Sequence, residues 1–320
     1  MPHNGCPNKC SFCNQKNITG QAYQPTYDDV QSVLEQAVSD LGDRSKNAEI
    51  AFFGGSFTAI DRNYMISLLK SVQPFLKNFQ GIRISTRPDC IDEGILDILK
   101  TYGVTSIELG AQSMNDVVLN ANNRGHSAED VIRASHLIKG YGFLLGLQMM
   151  TGLYKSTYEK DIETAEAFIN LKPDTVRIYP TVIMKDTDLA EFYLSGKFKP
   201  YTLEDSVKLC ARLIMMFEKE NINIIRLGLH YSDSLINNSF GNNYHPAFKE
   251  LCESKIFLNE FLRKANETKN KKNLTAFINK KSLSKFYGQK KSNVLKLTEM
   301  GYSFKTEFDN TLGKYDLYIK

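Results

Sequence analysis

Three cysteines fall within eight residues near the start of this 320-residue chain: Cys6, Cys10 and Cys13, spaced C-x3-C-x2-C. Thiolates are soft ligands, and three on one short loop can each take one iron of a [4Fe-4S] cube. The fourth iron then stays open to a ligand from outside the chain. Zinc is the competing reading. A structural zinc site wants four protein ligands, and His3 is placed to supply the fourth. Cys90, Cys210 and Cys252 are scattered and read as small buried apolar residues. A secreted disulfide scaffold would be shorter and denser in cysteine.

Other polar residues carry two readings each. Arg87 and Asp89 suit a loop ion pair as well as a substrate contact. Gln148 lies in an apolar run, where a buried amide needs a partner from a ligand or from neighbouring backbone. His126, His230 and His245 read as structural, and no base–nucleophile pair stands out.

Positioning such groups takes a scaffold, and the chain alternates short apolar runs with amphipathic stretches. Strands are expected at Glu49–Gly54, Ile82–Thr86, Ser106–Gly110, Phe143–Met149 and Thr175–Tyr179. Helices are expected at Tyr27–Leu41, Tyr64–Gln73, Ile91–Tyr102, Ala128–Gly140, Tyr158–Ile169 and Leu203–Glu220. Strands separated by single helices imply right-handed βαβ units and a parallel sheet. Repeated, they predict an α/β fold, a full or partial (β/α) barrel with functional groups at the C-terminal strand ends. Gly54–Gly55–Ser56, Ser85–Thr86–Arg87, Gln112–Ser113 and Tyr179–Pro180–Thr181 lie at such ends.

Composition is that of a globular protein, 42% hydrophobic and 24% charged. No apolar run is long enough to span a membrane and the first residues form no signal peptide, so a cytoplasmic protein is expected. Residues 261–320 hold 14 Lys or Arg against 5 Asp or Glu, a net of +9, while the whole chain is +4. That basic region suits a polyanionic partner or a solvated surface. Within it, Lys280–Asn293 mixes lysine with aromatics, as nucleic-acid surfaces often do. Ala265–Asn273 reads as a linker and Tyr315–Ile319 as a last strand.

The segments PHNGCPNKCSFCNQ, FFGGSFT, STRPD, IELGAQS, RGH, LLGLQMMTGL and VRIYPT occur in this order. With Phe12 before the last cysteine, they resemble the radical S-adenosylmethionine superfamily over about residues 2–260. Within it they are similar to the radical domain of the Elongator catalytic subunit and, less closely, to oxygen-independent coproporphyrinogen oxidase. The resemblance implies a partial barrel of the radical S-adenosylmethionine type over residues 1–231, an Elongator-like extension over 232–264, and a small basic C-terminal appendage over 265–320. It also implies that Cys6, Cys10 and Cys13 hold the cluster and that S-adenosylmethionine docks on the open iron. Gly54, Gly55 and Ser56 resemble the strand end that receives the cofactor's amino group, with Ser56 replacing the usual acid. Gln112 and Gln148 sit where relatives bind the ribose, and Arg124 where they bind the methionine carboxylate.

The implied reaction is reductive cleavage of the cofactor to a 5′-deoxyadenosyl radical, fed by an electron donor such as a ferredoxin or flavodoxin. Transfer RNA, held through the basic C-terminal region, is the expected substrate. The alternatives are a small metabolite, as for the porphyrinogen-oxidising relatives, and a non-catalytic zinc-stabilised RNA-binding protein. About 60 residues follow the similar region, too few for an acetyltransferase domain like Elongator's, so chemistry from acetyl-coenzyme A is not expected. Only five residues precede Cys6, so the first barrel strand of the relatives is expected to be missing, through a late start of the chain.

Overall fold

The structure is a computed structural model that describes residues 2–3, 6–14, 23–231, 233–241, 243–268 and 272–320. The side chains of residues 2, 3, 233 and 234 lie outside that description. In chain order the first elements are β1 (Pro2–His3), α1 (Tyr27–Leu41), β2 (Glu49–Gly54), α2 (Arg62–Ser71), β3 (Gly81–Thr86), α3 (Glu93–Thr101) and β4 (Val104–Gln112). They are followed by α4 (Asp116–Ala121), α5 (Ala128–Gly140), β5 (Leu144–Thr151), α6 (Tyr158–Leu171), β6 (Thr175–Pro180), β7 (Ile183–Met184), α7 (Asp188–Leu194), α8 (Leu203–Lys219), β8 (Asn223–Leu227) and β9 (Ser239–Phe240). The rest comprises α9 (Phe248–Thr268), β10 (Leu274–Ile278), α10 (Leu283–Tyr287), α11 (Ser292–Glu299), β11 (Phe304–Phe308) and β12 (Leu317–Ile319).

Seven strands form one sheet in the order β1-β2-β3-β4-β5-β6-β8, every neighbouring pair parallel. The sheet curls into a half-barrel. Its convex face is apolar: Ile82, Ile84, Ile107, Leu109, Leu145, Leu147, Val176 and Ile178 are buried there under the helices. The helices start where side chains satisfy their free N–H groups. Thr26 with Asp29 and Ser127 with Asp130 form reciprocal capping boxes on α1 and α5. Asp61, Asp92 and Thr157 cap α2, α3 and α6.

The concave face is polar. Glu49, Arg83, Glu108 and Arg177 project there from β2, β3, β4 and β6, joined by ion pairs. Three irregularities break the ladders, between Ile82 and Arg83, between Leu109 and Gln112, and between Val176 and Arg177. Each inserts an extra residue and re-aims the side chains beyond it.

One expectation is corrected here. A strand does precede the cysteines: β1 pairs in parallel with β2, Pro2 opposite Phe53 and His3 opposite Gly54. The expected linker also differs, because α9 continues through Thr268, while residues 269–271 lie outside the described residues. The strand β8, unforeseen in the sequence, closes the sheet at the far edge.

The chain divides into two compact units, Met1–Pro200 with Phe217–Gly241, and Tyr201–Met216 with Asn242–Lys320. In the second, β11-β10-β12 form a three-stranded sheet. Its core is aromatic: Phe261 lies 5.0 Å from Phe304 and 5.5 Å from Tyr302, ring centre to ring centre. The end of the basic region thus has a packed interior of its own.

Candidate functional site

Backbone and amide hydrogen bonds fix the cysteine loop to the half-barrel. The Ser11 N–H donates to the Asn122 carbonyl at 3.1 Å, and the Ser11 carbonyl accepts from the Leu189 N–H at 2.7 Å. The Ser11 hydroxyl, fully buried, donates to Asn122 Oδ1 at 2.8 Å. Asn8 Nδ2 donates to the Asn123 carbonyl at 2.6 Å and to Cys10 Sγ at 3.3 Å. A loop without regular structure is held by polar side chains lying between the cysteines.

Arg124 brings three of the expected positions together. Its Nη1 donates to Cys10 Sγ at 3.0 Å and its Nη2 donates to the Gly110 carbonyl. The guanidinium carbon stands 5.9 Å from the centre of the Phe12 ring. Gln112 follows a bulge of β4 with φ at 69° and is buried. A Cβ on Gly110 would come 3.1 Å from Gln112 Nε2 and 3.7 Å from Arg124 Nη2. Glycine at 110 leaves those two side chains their room.

Ser56 and Gln148 lie elsewhere. The Ser56 hydroxyl is buried in a network, 2.8 Å from Thr86 Oγ1 and accepting from the Arg87 N–H at 3.1 Å. It is committed to joining the ends of β2 and β3. Backbone at Gly54 and Gly55 is left for any ligand contact, and Gly54, at φ 124°, has a conformation that glycine adopts readily. Gln148 is half-buried on the concave face of β5, in register with Arg177. Arg87 and Asp89 form the ion pair that the sequence left open, bidentate at 2.9 and 2.8 Å. Asn8, Ser11 and Asn122 were missed. Their partners are more than a hundred residues away in sequence, and no local spacing announces them.

Burial, then Cys10 and Cys6, push the Cys13 thiol up to about 12, against the opposing pull of Arg124. Raised in this way, the Cys13 thiol keeps its proton at neutral pH, and a metal displaces that proton on binding. Around the three cysteines, Arg124 Nε, Gln112 Oε1, His126 Nδ1 and Arg87 Nη1 are buried with no hydrogen-bond partner among the described residues. Buried polar atoms are rarely left unpaired in the absence of a ligand. Among the described residues, no group of three or more His, Cys, Asp or Glu side chains is arranged to hold one metal ion. A cluster differs from a single ion in giving each thiolate its own iron. Three free thiols on one loop, with buried polar atoms beside them, are the donor set that a [4Fe-4S] cluster and a polar ligand would take.

Comparison with known proteins agrees. Residues 1–168 match the Radical SAM superfamily and residues 173–257 match the Radical_SAM C-terminal domain. The chain belongs to the radical S-adenosylmethionine superfamily, and it is an enzyme whose cofactors are a [4Fe-4S] cluster and S-adenosylmethionine. Within the superfamily it is similar to Elongator complex protein 3 of Homo sapiens, 32% identical over 206 residues that cover 57% of this chain and 37% of that protein. It is also similar to the tRNA uridine(34) acetyltransferase of Dehalococcoides mccartyi (strain CBDB1), at 27% identity over 61% of this chain and 50% of that one. The chain thus spans half or less of the length of these curated relatives.

Among solved structures, Methanocaldococcus infernus Elp3 with an N-terminal deletion superposes with a TM-score of 0.56 at 24% identity, covering 66% of this chain and 57% of that one. Streptococcus suis SuiB bound to S-adenosylmethionine superposes with a TM-score of 0.52 at 17% identity, covering 71% and 49%. These likenesses agree with the half-barrel. The non-catalytic zinc reading gives way to family membership. Among the described residues, no helix is long and apolar enough to cross a membrane.

Proposed function

We propose that this chain modifies transfer RNA by hydrogen abstraction at the concave face of its half-barrel. The observation that carries the cofactor part is the set of unpaired buried atoms on Arg124, Gln112, His126 and Arg87 around the cysteine loop. In this reading Cys6, Cys10 and Cys13 hold the cluster. Arg124 presents its guanidinium to the cofactor's carboxylate, a task suited to paired donors. Gln112 and Gln148 orient the ribose, while Gly54, Gly55 and Ser56 offer backbone to the amino group.

When bound, the cluster and S-adenosylmethionine supply, on one-electron reduction, a 5′-deoxyadenosyl radical. The chain's own residues bind, orient and exclude water. Phe12 covers one side of Arg124, and the buried Ser56–Thr86–Thr58 hydroxyls tie the neighbouring strand ends together without solvent. A ferredoxin or flavodoxin supplies the electron, and the reaction takes place in the cytoplasm. The relatives named for Elongator and for tRNA uridine(34) acetylation support a wobble-uridine substrate, and the basic residues between 261 and 320 support a polyanion.

Comparing the modified nucleosides of transfer RNA from cells with and without the gene tests the substrate. A uridine modification lost with the gene, and restored by the wild-type protein but not by Cys10→Ala, is the expected result. An unchanged nucleoside profile rejects transfer RNA as the substrate.

A further inference from the structure

The charged row on the concave face ends in an unbalanced arginine. Arg83 pairs with Glu49 at 2.7 Å and with Glu108 at 3.2 Å, and Arg177 holds Glu108 through two bonds of 2.6 and 3.0 Å. Those two arginines and two glutamates cancel. On the next strand, β8, Arg226 is the register partner of Arg177 and so shares its face. Its Nε donates to the Gly228 carbonyl at 2.8 Å, and among the described residues it pairs with no carboxylate. Arg226 is half-buried, its strand forms the edge of the sheet, and its two terminal nitrogens have no partner among the described residues.

A local irregularity puts it there. Val176 is opposite Ile224, but Arg177 is opposite Arg226, so Ile225 is an extra residue. With an unbroken ladder Ile225 would face Arg177, and Arg226 would fall opposite Ile178 on the helix-covered face. The bulge costs ladder pairing and places a second guanidinium beside Arg177, whose own charge Glu108 already balances, so Arg226 adds a positive charge that an outside anion can meet. His230, exposed just beyond the end of β8, has its pKa lowered by partial desolvation, then by Arg226 and Arg177, so both guanidiniums act on it.

We propose that Arg226, with Arg177 beside it and His230 at the strand end, forms an oxyanion subsite in the half-barrel that takes a phosphate or carboxylate of the substrate. The proposal rests on the concave face being where substrate binds, and it names the recognised chemistry. A planar fork matches such groups bidentately. Two sources supply that chemistry, a nucleotide phosphate and a metabolite carboxylate.

Calorimetric titration of the cluster-loaded, S-adenosylmethionine-bound protein, with no reductant present, tests it. The probes are uridine 5′-monophosphate, uridine and citrate, applied to wild type, Arg226→Gln and Arg226→Lys. An anionic probe is expected to bind the wild type about ten-fold more tightly than uridine. Arg226→Gln should abolish that preference, and Arg226→Lys, which keeps charge and loses the fork, should retain part of it. Preference for the monophosphate assigns the subsite to a nucleotide, and preference for citrate assigns it to a metabolite. The proposal is overturned if neither anion saturates by about 10 mM, or if Arg226→Gln, shown folded by thermal melting, binds as the wild type does. Binding is read without reduction, so failure here leaves the cofactor assignment and the nucleoside comparison standing.

Discussion

Arg124 is held on three sides, by the Cys10 thiol, the Gly110 carbonyl and the Phe12 ring, and its Nε has no partner among the described residues. Two residues on, His126 Nε2 lies 3.2 Å from the Ala111 carbonyl, and burial followed by Arg124 lowers its pKa from 6.5 to about 4. The folded chain thus keeps His126 neutral in a range where the unfolded chain takes up a proton. Its contribution to stability is complete above about pH 6.5 and declines as pH falls toward 4, by up to roughly 3 kcal/mol. Denaturant melts at pH 7 and pH 5 check this. The wild type should take up about one more proton on unfolding at pH 5 than His126→Asn does, and equal pH slopes would refute the assignment. At this scale the spacing of Cys6, Cys10 and Cys13 was legible because one loop carries all three. Only the ordered motifs pointed to Arg124, which contacts Cys10, and to Gln112 near it, while Ser56 follows the expected strand end with its hydroxyl turned inward.

Among the elements, β2, α1 and α5 match their expected limits, since capping residues and clean periodicity mark their ends. The strand β8 was not foreseen. Asn223–Leu227 directly follows a long helical pattern, and its bulge hides the two-residue alternation that marks a strand. Close strand packing also sets what each position tolerates. A Cβ on Gly146 would come 2.6 Å from Glu108 Cγ and 3.1 Å from Thr175 Oγ1. Gly146→Ala should therefore displace the glutamate that neutralises Arg83 and Arg177, lowering stability by about 1–3 kcal/mol. Equilibrium unfolding would show it, and an unchanged midpoint would mean that the Glu108 side chain yields freely.

For the whole molecule, charge is the most legible property and the least specific. The excess of lysine after residue 261 was plain, whereas the sheet of β10, β11 and β12 was not. Of its three strands, only Leu317–Ile319 fell within an expected one. Lys280, Lys281, Lys290 and Lys291 are exposed on this unit. If they meet the phosphates of transfer RNA, changing all four to glutamine should make the slope of log affinity against log salt shallower by roughly 3. Filter binding over a salt series measures it, and an unaltered slope would assign them to a solvated surface.

The central claim is that Cys6, Cys10 and Cys13 leave one iron of a four-iron cluster for S-adenosylmethionine. Its most direct test is the yield of 5′-deoxyadenosine from anaerobically reconstituted protein supplied with S-adenosylmethionine and dithionite. The wild type should form it and Cys10→Ala should not. Wild-type protein that carries four irons and releases none would contradict the account.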